Sequence, residues 1–128
     1  MTPSVPISWG ELADKITILE IKSELLSSVT ARANAKSELT RLTAMWEPIE
    51  RENRNAAGLK VALKHTNKTL WQIEDQIREK EAQKCFDDEF IALARAVYRT
   101  NDERSRIKRQ INMLLKSEIM EEKQYSAY

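Results

Sequence analysis

The stretch LKVALKHTNKTLWQIEDQIREKEAQKCFDDEFIALARAVYR, residues 59–99, decides the fold. Leu59, Leu63, Thr66, Leu70, Ile73 and Ile77 recur at alternating spacings of four and three, the heptad-like seam of an amphipathic helix. That helix is expected over about residues 59–84. The connector Lys84-Cys85-Phe86 is so short that the next helix must fold back antiparallel. Asp87 is a natural N-cap, because a carboxylate there accepts from free N–H groups of the first turn, and Phe86 and Ile91 can staple it. From Asp88 onward there is no glycine or proline, and Phe90, Ala94, Val97, Ile107, Ile111, Leu114, Leu115 and Ile119 make an apolar side. If unbroken to about residue 122, this arm is roughly 50 Å long at 1.5 Å per residue, more than a globule of this size needs. Either it bends at Thr100-Asn101-Asp102-Glu103 or part of it packs on a second copy, and the latter implies self-association.

Outward from the hairpin, Ser8-Trp9-Gly10-Glu11 has the S-x-x-E form of a capping box, flanked by Ile7 and Leu12 as a hydrophobic staple. A first helix is expected over about 9–27, after an extended lead-in containing Pro3 and Pro6. A second is expected from Ala31, with Ala35, Leu39, Leu42, Trp46 and Ile49 on one stripe. Pro48 should kink or end it, since proline lacks an N–H and clashes with the preceding turn. The polar run from Glu50 to Gly58 reads as a loop or frayed turn. The fold class is therefore all-α: a helical bundle with a long antiparallel hairpin (about 59–84 and 88–122) packed by an N-terminal helix (about 9–27), the whole chain 1–128 forming one helical domain.

Composition agrees. Two glycines and three prolines in 128 residues leave a strand-and-turn fold without punctuation. Hydrophobic residues at 41% and charged residues at 32% fit a globular chain rather than a disordered one. A net charge of +1 gives no global field toward nucleic acid or an anionic membrane. Apolar runs of a few residues fall far short of the ~20 needed to cross a bilayer, and MTPSVPISWGEL lacks the pattern of a signal peptide. The single cysteine, Cys85, excludes an intrachain disulfide framework. A reducing, cytoplasmic setting is expected. No internal repeat is present.

The charges supply the functional handle. On a wheel of about 100° per residue, Leu12, Ile16, Leu19 and Leu26 flank one side of an arc on the first helix, and Ile18, Ile21 and Leu25 the other. Glu11, Lys15 and Lys22 lie between them, which points these charges inward. On the last helix Asn101, Arg104 and Lys108 share the face of Val97, Ile111 and Leu115. Glu74 and Glu81 border the Leu70/Ile77 seam with Arg78 between them, placing carboxylates near the last helix across the hairpin. One reading is a partly buried ion network that fixes register or assembly, because an unpaired buried charge costs several kcal/mol and survives only with partners. The other is a polar pocket for an anionic small molecule, a carboxylate or phosphate, walled by Lys15, Lys22, Arg104 and Lys108. In an enzymatic version of it, Glu74 or Glu81 handles a proton. The leading expectation is a non-enzymatic interaction and assembly protein; the alternative is a small helical enzyme or anion-binding protein.

Other candidates carry less. His65, the sole histidine, lies off its helix seam and reads as a surface residue. One cysteine and one histidine do not make a usual zinc site, and neither a phosphate-cradling glycine loop nor a serine-nucleophile elbow is present, so no cofactor or metal is expected. The basic run from Arg104 to Arg109 spreads around more than one face once wound into a helix, so nucleic acid is not an expected partner.

Four blocks carry a family resemblance: GELADKITILEIK at residues 10–22, LWQIEDQIR at 70–78, ARAVYRTNDER at 94–104, and EEKQY at 121–125. Together they resemble a small bacterial family of unknown function, with residues from about Val29 to Gly58 outside the likeness. The resemblance implies a bacterial, intracellular protein and transfers no activity. Its blocks contain Glu11, Lys15, Lys22, Glu74, Arg78, Asn101, Arg104 and Lys108, residues the wheel also singles out.

Overall fold

A computed structural model describes residues 1–128 and contains four helices and no strand: α1 (Trp9–Leu25), α2 (Val29–Glu52), α3 (Arg54–Ala82) and α4 (Asp88–Leu114). The hairpin and the N-terminal helix lie where the periodicity places them. α1 is the central element: it packs on α2, α3 and α4 and separates α2 from α4. Gly10, Leu12, Ala13, Asp14, Ile16, Thr17, Leu19 and Ile21 are all buried. Around it the core closes with Trp46, Ala56, Leu63, Ile107 and Ile111. Each large aliphatic side chain enclosed there contributes about 1.5–3 kcal/mol relative to exposure.

Two boundaries differ from expectation in the middle of the chain. α2 begins at Val29, capped by the Ser28 hydroxyl, and runs through Pro48 to Glu52. Pro48 is exposed, so its ring projects to solvent. No loop spans Glu50–Gly58. The break is the single residue Asn53, whose N–H still bonds the Ile49 carbonyl at 3.0 Å while its side chain accepts from Asn55 N at 3.1 Å. The polar look of this run is its solvent side; Ala56 is fully enclosed in the core.

α4 is unbroken through Thr100–Glu103 but stops at Leu114, short of residue 122. Lys116 adopts φ 53°, the Ser117 N–H bonds Asn112 O at 2.8 Å, and the Lys116 N–H bonds Met113 O at 3.3 Å. This is a Schellman closure with lysine in the left-handed position usually held by glycine. The same device ends α3: Lys84 has φ 53°, with Cys85 N bonded to Lys80 O at 3.0 Å. A sequence scan for glycine stops misses both. α1 likewise ends at Leu25, with Leu26 extended, two residues before the expected Ser27.

The ends of the hairpin differ in burial. Its closed end is exposed, and no residue from 68 to 106 is buried. The buried residues of α3 are Ala56, Leu63, Thr66 and Asn67, and those of α4 are Ile107, Lys108, Ile111 and Asn112. All sit beside α1. Beyond them Leu70, Trp71 and Arg104 still border α1 and Tyr98 and Asp102 meet the chain end, while the closed end of the hairpin, around residues 78–95, has its own two-helix seam to pack on.

Candidate functional site

The start of α1 is fastened to the end of α4. Helix N-termini leave N–H groups without intrahelical acceptors, and here three are met by side chains. Glu11 N donates to Ser8 Oγ at 3.1 Å, Gly10 N to Asn112 Oδ1 at 2.6 Å, and Trp9 N to Ser117 Oγ at 3.3 Å. Gly10 is required by this approach: a Cβ there would fall on the Lys108 carbonyl oxygen and 2.8 Å from Asn112 Oδ1. The Glu11 carboxylate does not turn back to Ser8, as a reciprocal capping box would. It accepts from Lys108 Nζ at 3.0 Å.

One turn further along α1, Asp14 is 2% exposed. Its Oδ1 accepts from Arg104 Nε at 2.9 Å and from Asn67 Nδ2 at 3.0 Å, while its Oδ2 accepts from Arg104 Nη2. Asn67 Nδ2 also donates to Thr17 Oγ1 at 3.0 Å. Lys108 lies 3.9 Å from Asp14 Oδ2 and 2.7 Å from Glu121 Oε2. The result is one network, Asn67–Asp14–Arg104 and Glu11–Lys108–Glu121, joining α1, α3, α4 and the chain end. Burial by itself would raise the Asp14 carboxyl, but hydrogen bonds from Arg104 and Asn67 outweigh it and hold the group below the ordinary carboxylate value. The Asp14 carboxylate raises Arg104 in turn. Burial pulls Lys108 down, yet Glu121 and Glu11 reverse the sign and keep it protonated.

The residues expected from the sequence separate into three groups. Glu11, Arg104 and Lys108 come together in the network, and Asn101 adjoins it, accepting from Arg104 Nη1 at 3.5 Å. Glu74 and Arg78 pair with each other at 3.1 Å along α3, away from the network, and Glu81 pairs with Lys84 at 3.8 Å near the hairpin turn. Lys15 is exposed and Lys22 half-buried, and neither enters an ion pair, so the inward placement expected of them is corrected. The physical reason lies on the other half of the α1 wheel. The apolar flanks close around Gly10, Ala13 and Thr17, small residues that let three helices approach, so the arc holding Lys15 and Lys22 faces away from the core, and Glu11 at its edge still reaches Lys108. Asp14, Asn67, Thr17 and Asn112 went unrecognised. Asp14 lies within the Ile18/Ile21/Leu25 flank, an acid among apolar residues, and that was the available signal.

Two hollows meet at Arg104. Beneath residues 121–128, which arch back over α4, lies an open groove of about 1470 Å³. Its cations are already engaged: Lys108 with Glu121, Arg109 with Glu122 at 3.6 Å, and Lys123 with Asp102 at 3.8 Å. Tyr128 packs against Tyr98 with centroids 5.0 Å apart and the rings tilted by 56°. On the other side is a smaller cleft of about 330 Å³ between α1, α3 and α4. No group of three or more His, Cys, Asp or Glu side chains is placed to hold a metal ion, and no helix is long and apolar enough to cross a membrane.

Compared with known proteins, residues 3–128 match the family described as "Family of unknown function (DUF6165)". No curated protein and no solved structure matches the chain.

Proposed function

Since the chain belongs to DUF6165, a family of unknown function that lends it no activity, we propose from its geometry that it is a non-enzymatic assembly protein whose projecting hairpin pairs with that of a second copy. The supporting observation is the run from residue 68 to 106, whose apolar seam residues Leu70, Ile73, Ile77, Phe90 and Val97 are only half-buried and none of whose residues is fully enclosed. A lone two-helix hairpin stabilises itself poorly, because helices in proteins draw most of their stability from packing an apolar face. The charge network belongs to this reading as the lock of the head, closed by its own partners and needing no ligand to neutralise it. A cytoplasmic setting, expected from the lone cysteine, belongs to the same proposal.

The outer face of α4 fits a two-fold partner. Phe86 and Ile91 are 55% and 53% exposed, and Ala92 beside Ile91 is exposed too. Asp88 lies one turn before this apolar centre; Arg95 lies one turn after it and Arg99 a second turn on, all exposed. In an antiparallel pairing about Ile91 and Ala92, each copy's Asp88 meets the other's Arg95, with Arg99 one turn further on, the self-complementarity a two-fold interface requires. Light scattering during size exclusion tests this. The natural protein is expected as a dimer. Asp88→Lys makes the face wholly basic and Arg95→Glu with Arg99→Glu makes it wholly acidic, so each alone is expected to be monomeric and an equal mixture to restore a dimer. A monomeric natural protein at high micromolar concentration would refute the assembly reading, and dimers indifferent to these changes would move the interface off α4.

A further inference from the structure

We infer that the cleft beside Arg104 is a binding site for a small carboxylate with an apolar body, independent of whether the hairpin pairs. At about 330 Å³ the cleft lies at the small end of ligand pockets. Its walls are Ile18 and Ile21 from α1 and Leu70 and Trp71 from α3, with Arg78 and Arg104 at its polar margin. Ile18, Leu70 and Trp71 are only half-buried, so apolar surface is left wet inside a concavity.

Arg104 is set up as a recognition group rather than only as a strut. Guanidinium carries five N–H donors in a fixed plane. Asp14 takes Nε–H and one Nη2–H, and Asn101 takes one from Nη1 at 3.5 Å. One N–H on each Nη remains, and the side chain is 28% exposed. Asp14, itself held by Asn67, fixes the guanidinium, so its remaining N–H groups can be met by a ligand without the loss of side-chain freedom that a free arginine incurs. Arg78 is 77% exposed and held only by the Glu74 pair on its own helix, so it can turn to a second anion oxygen.

The charge of the ligand follows from the rest of the rim. Glu74 and Asp75 also line the cleft. Two acids and two arginines leave the rim with no net charge, and Arg104 is already paired with Asp14, so an anion is taken here through the remaining guanidinium N–H groups rather than by charge excess, and a dianionic phosphate is disfavoured more than a monoanion. The fit is therefore a monocarboxylate whose hydrocarbon part covers Trp71 and Leu70.

The test uses hydrocinnamate, its uncharged amide and phenethyl phosphate as probes, with the Trp71 indole N–H signal followed by two-dimensional NMR on the whole protein. Hydrocinnamate is expected to shift that signal saturably, with the amide and the phosphate at least about tenfold weaker, the factor one lost charge-assisted hydrogen bond carries. Arg104→Lys keeps a charge for Asp14 but loses the fork and should lose the binding. Arg78→Gln, on the surface, should weaken it severalfold without touching the fold, and Lys15→Gln, on the outer arc of α1, should change nothing. Equal response to acid and amide would overturn the proposal by showing an apolar dent without anion recognition. A Trp71 signal unmoved by any probe at millimolar concentration would overturn it outright. Either failure leaves the oligomeric state, and with it the assembly reading, untouched.

Discussion

Arg104 grips both carboxylate oxygens of Asp14 across ninety residues of chain, and that fork joins the first helix to the last. The pair is asymmetric in burial: Asp14 is 2% exposed and the Arg104 side chain 28%. The acid therefore depends on the base more than the base on the acid. Removing the acid still takes from Arg104 and Asn67 the acceptor they share, whereas Lys108 keeps Glu11 and Glu121.

Asp14→Ala should consequently destabilise the fold by about 3–5 kcal/mol, the usual range when one member of a buried pair is removed. Arg104→Met in the natural background should cost a similar amount, because it strands a buried carboxylate. The two changes together should cost clearly less than the sum of the singles, since each removes the charge the other would have stranded. Urea unfolding of the four proteins measures the coupling; strict additivity would show that the fork contributes nothing as a pair.

The depressed Asp14 carboxyl sets a pH dependence with a definite sign. In the unfolded chain it titrates near ~3.9, and in the folded protein below that. A group depressed by folding contributes stability that is fully present above the unfolded value and lost as pH falls through the folded one. Urea midpoints should therefore hold steady down to about pH 5 and drop below about pH 4. Asp14→Asn should be weaker at neutral pH and should show a shallower acid limb. An unchanged limb in the variant would assign the acid sensitivity to other carboxylates.

Much of the fold was legible because the hairpin seam, the Ser8 cap and the Asp87 cap are local chemistry. Ser8 Oγ accepts from Glu11 N and Asp87 Oδ1 from Phe90 N, as sequence spacing alone foretells. What the sequence hid was non-local. Asn112 caps the N–H of Gly10, 102 residues earlier in the chain, and no window around Asn112 could reveal that. The inward face of α1 was misread for a related reason. With three helices packed on it, its buried arc is wider than one apolar stripe and is centred on Gly10, Ala13 and Thr17, whose small size matters more than their polarity. Only part of the charged set was therefore placed correctly. Arg104, Lys108 and Glu11 meet, while the acid that organises two of them, Asp14, was hidden within an apolar flank.

Gly10→Ala tests the close approach of α1 and α4. The added methyl meets the Lys108 backbone carbonyl, which cannot swing away as a side chain can, and Asn112 Oδ1, whose bond to Gly10 N depends on the same proximity. Alanine favours helix intrinsically by roughly 1 kcal/mol over glycine, so a purely local effect would stabilise. The expectation is the opposite sign, a loss of about 1–3 kcal/mol typical of overpacking. Thermal unfolding decides between them, and a more stable variant would show that the helices separate at little cost.

The two left-handed lysines offer the converse case, where glycine should help. Lys84 and Lys116 both hold φ 53°, a conformation that carries roughly 1–2 kcal/mol of steric penalty for a side chain with a Cβ. Glycine removes that penalty but adds freedom to the unfolded chain, which offsets up to about 1 kcal/mol of the gain. Lys116 is exposed and enters no ion pair, so Lys116→Gly should gain a net few tenths to about 1 kcal/mol. Lys84 also faces Glu81 at 3.8 Å, an exposed pair of little weight, so Lys84→Gly should gain slightly less. Chemical denaturation of both variants measures the difference. If Lys116→Gly destabilised instead, the Schellman closure that ends α4 and turns residues 121–128 back over it would not be the state the chain occupies in solution.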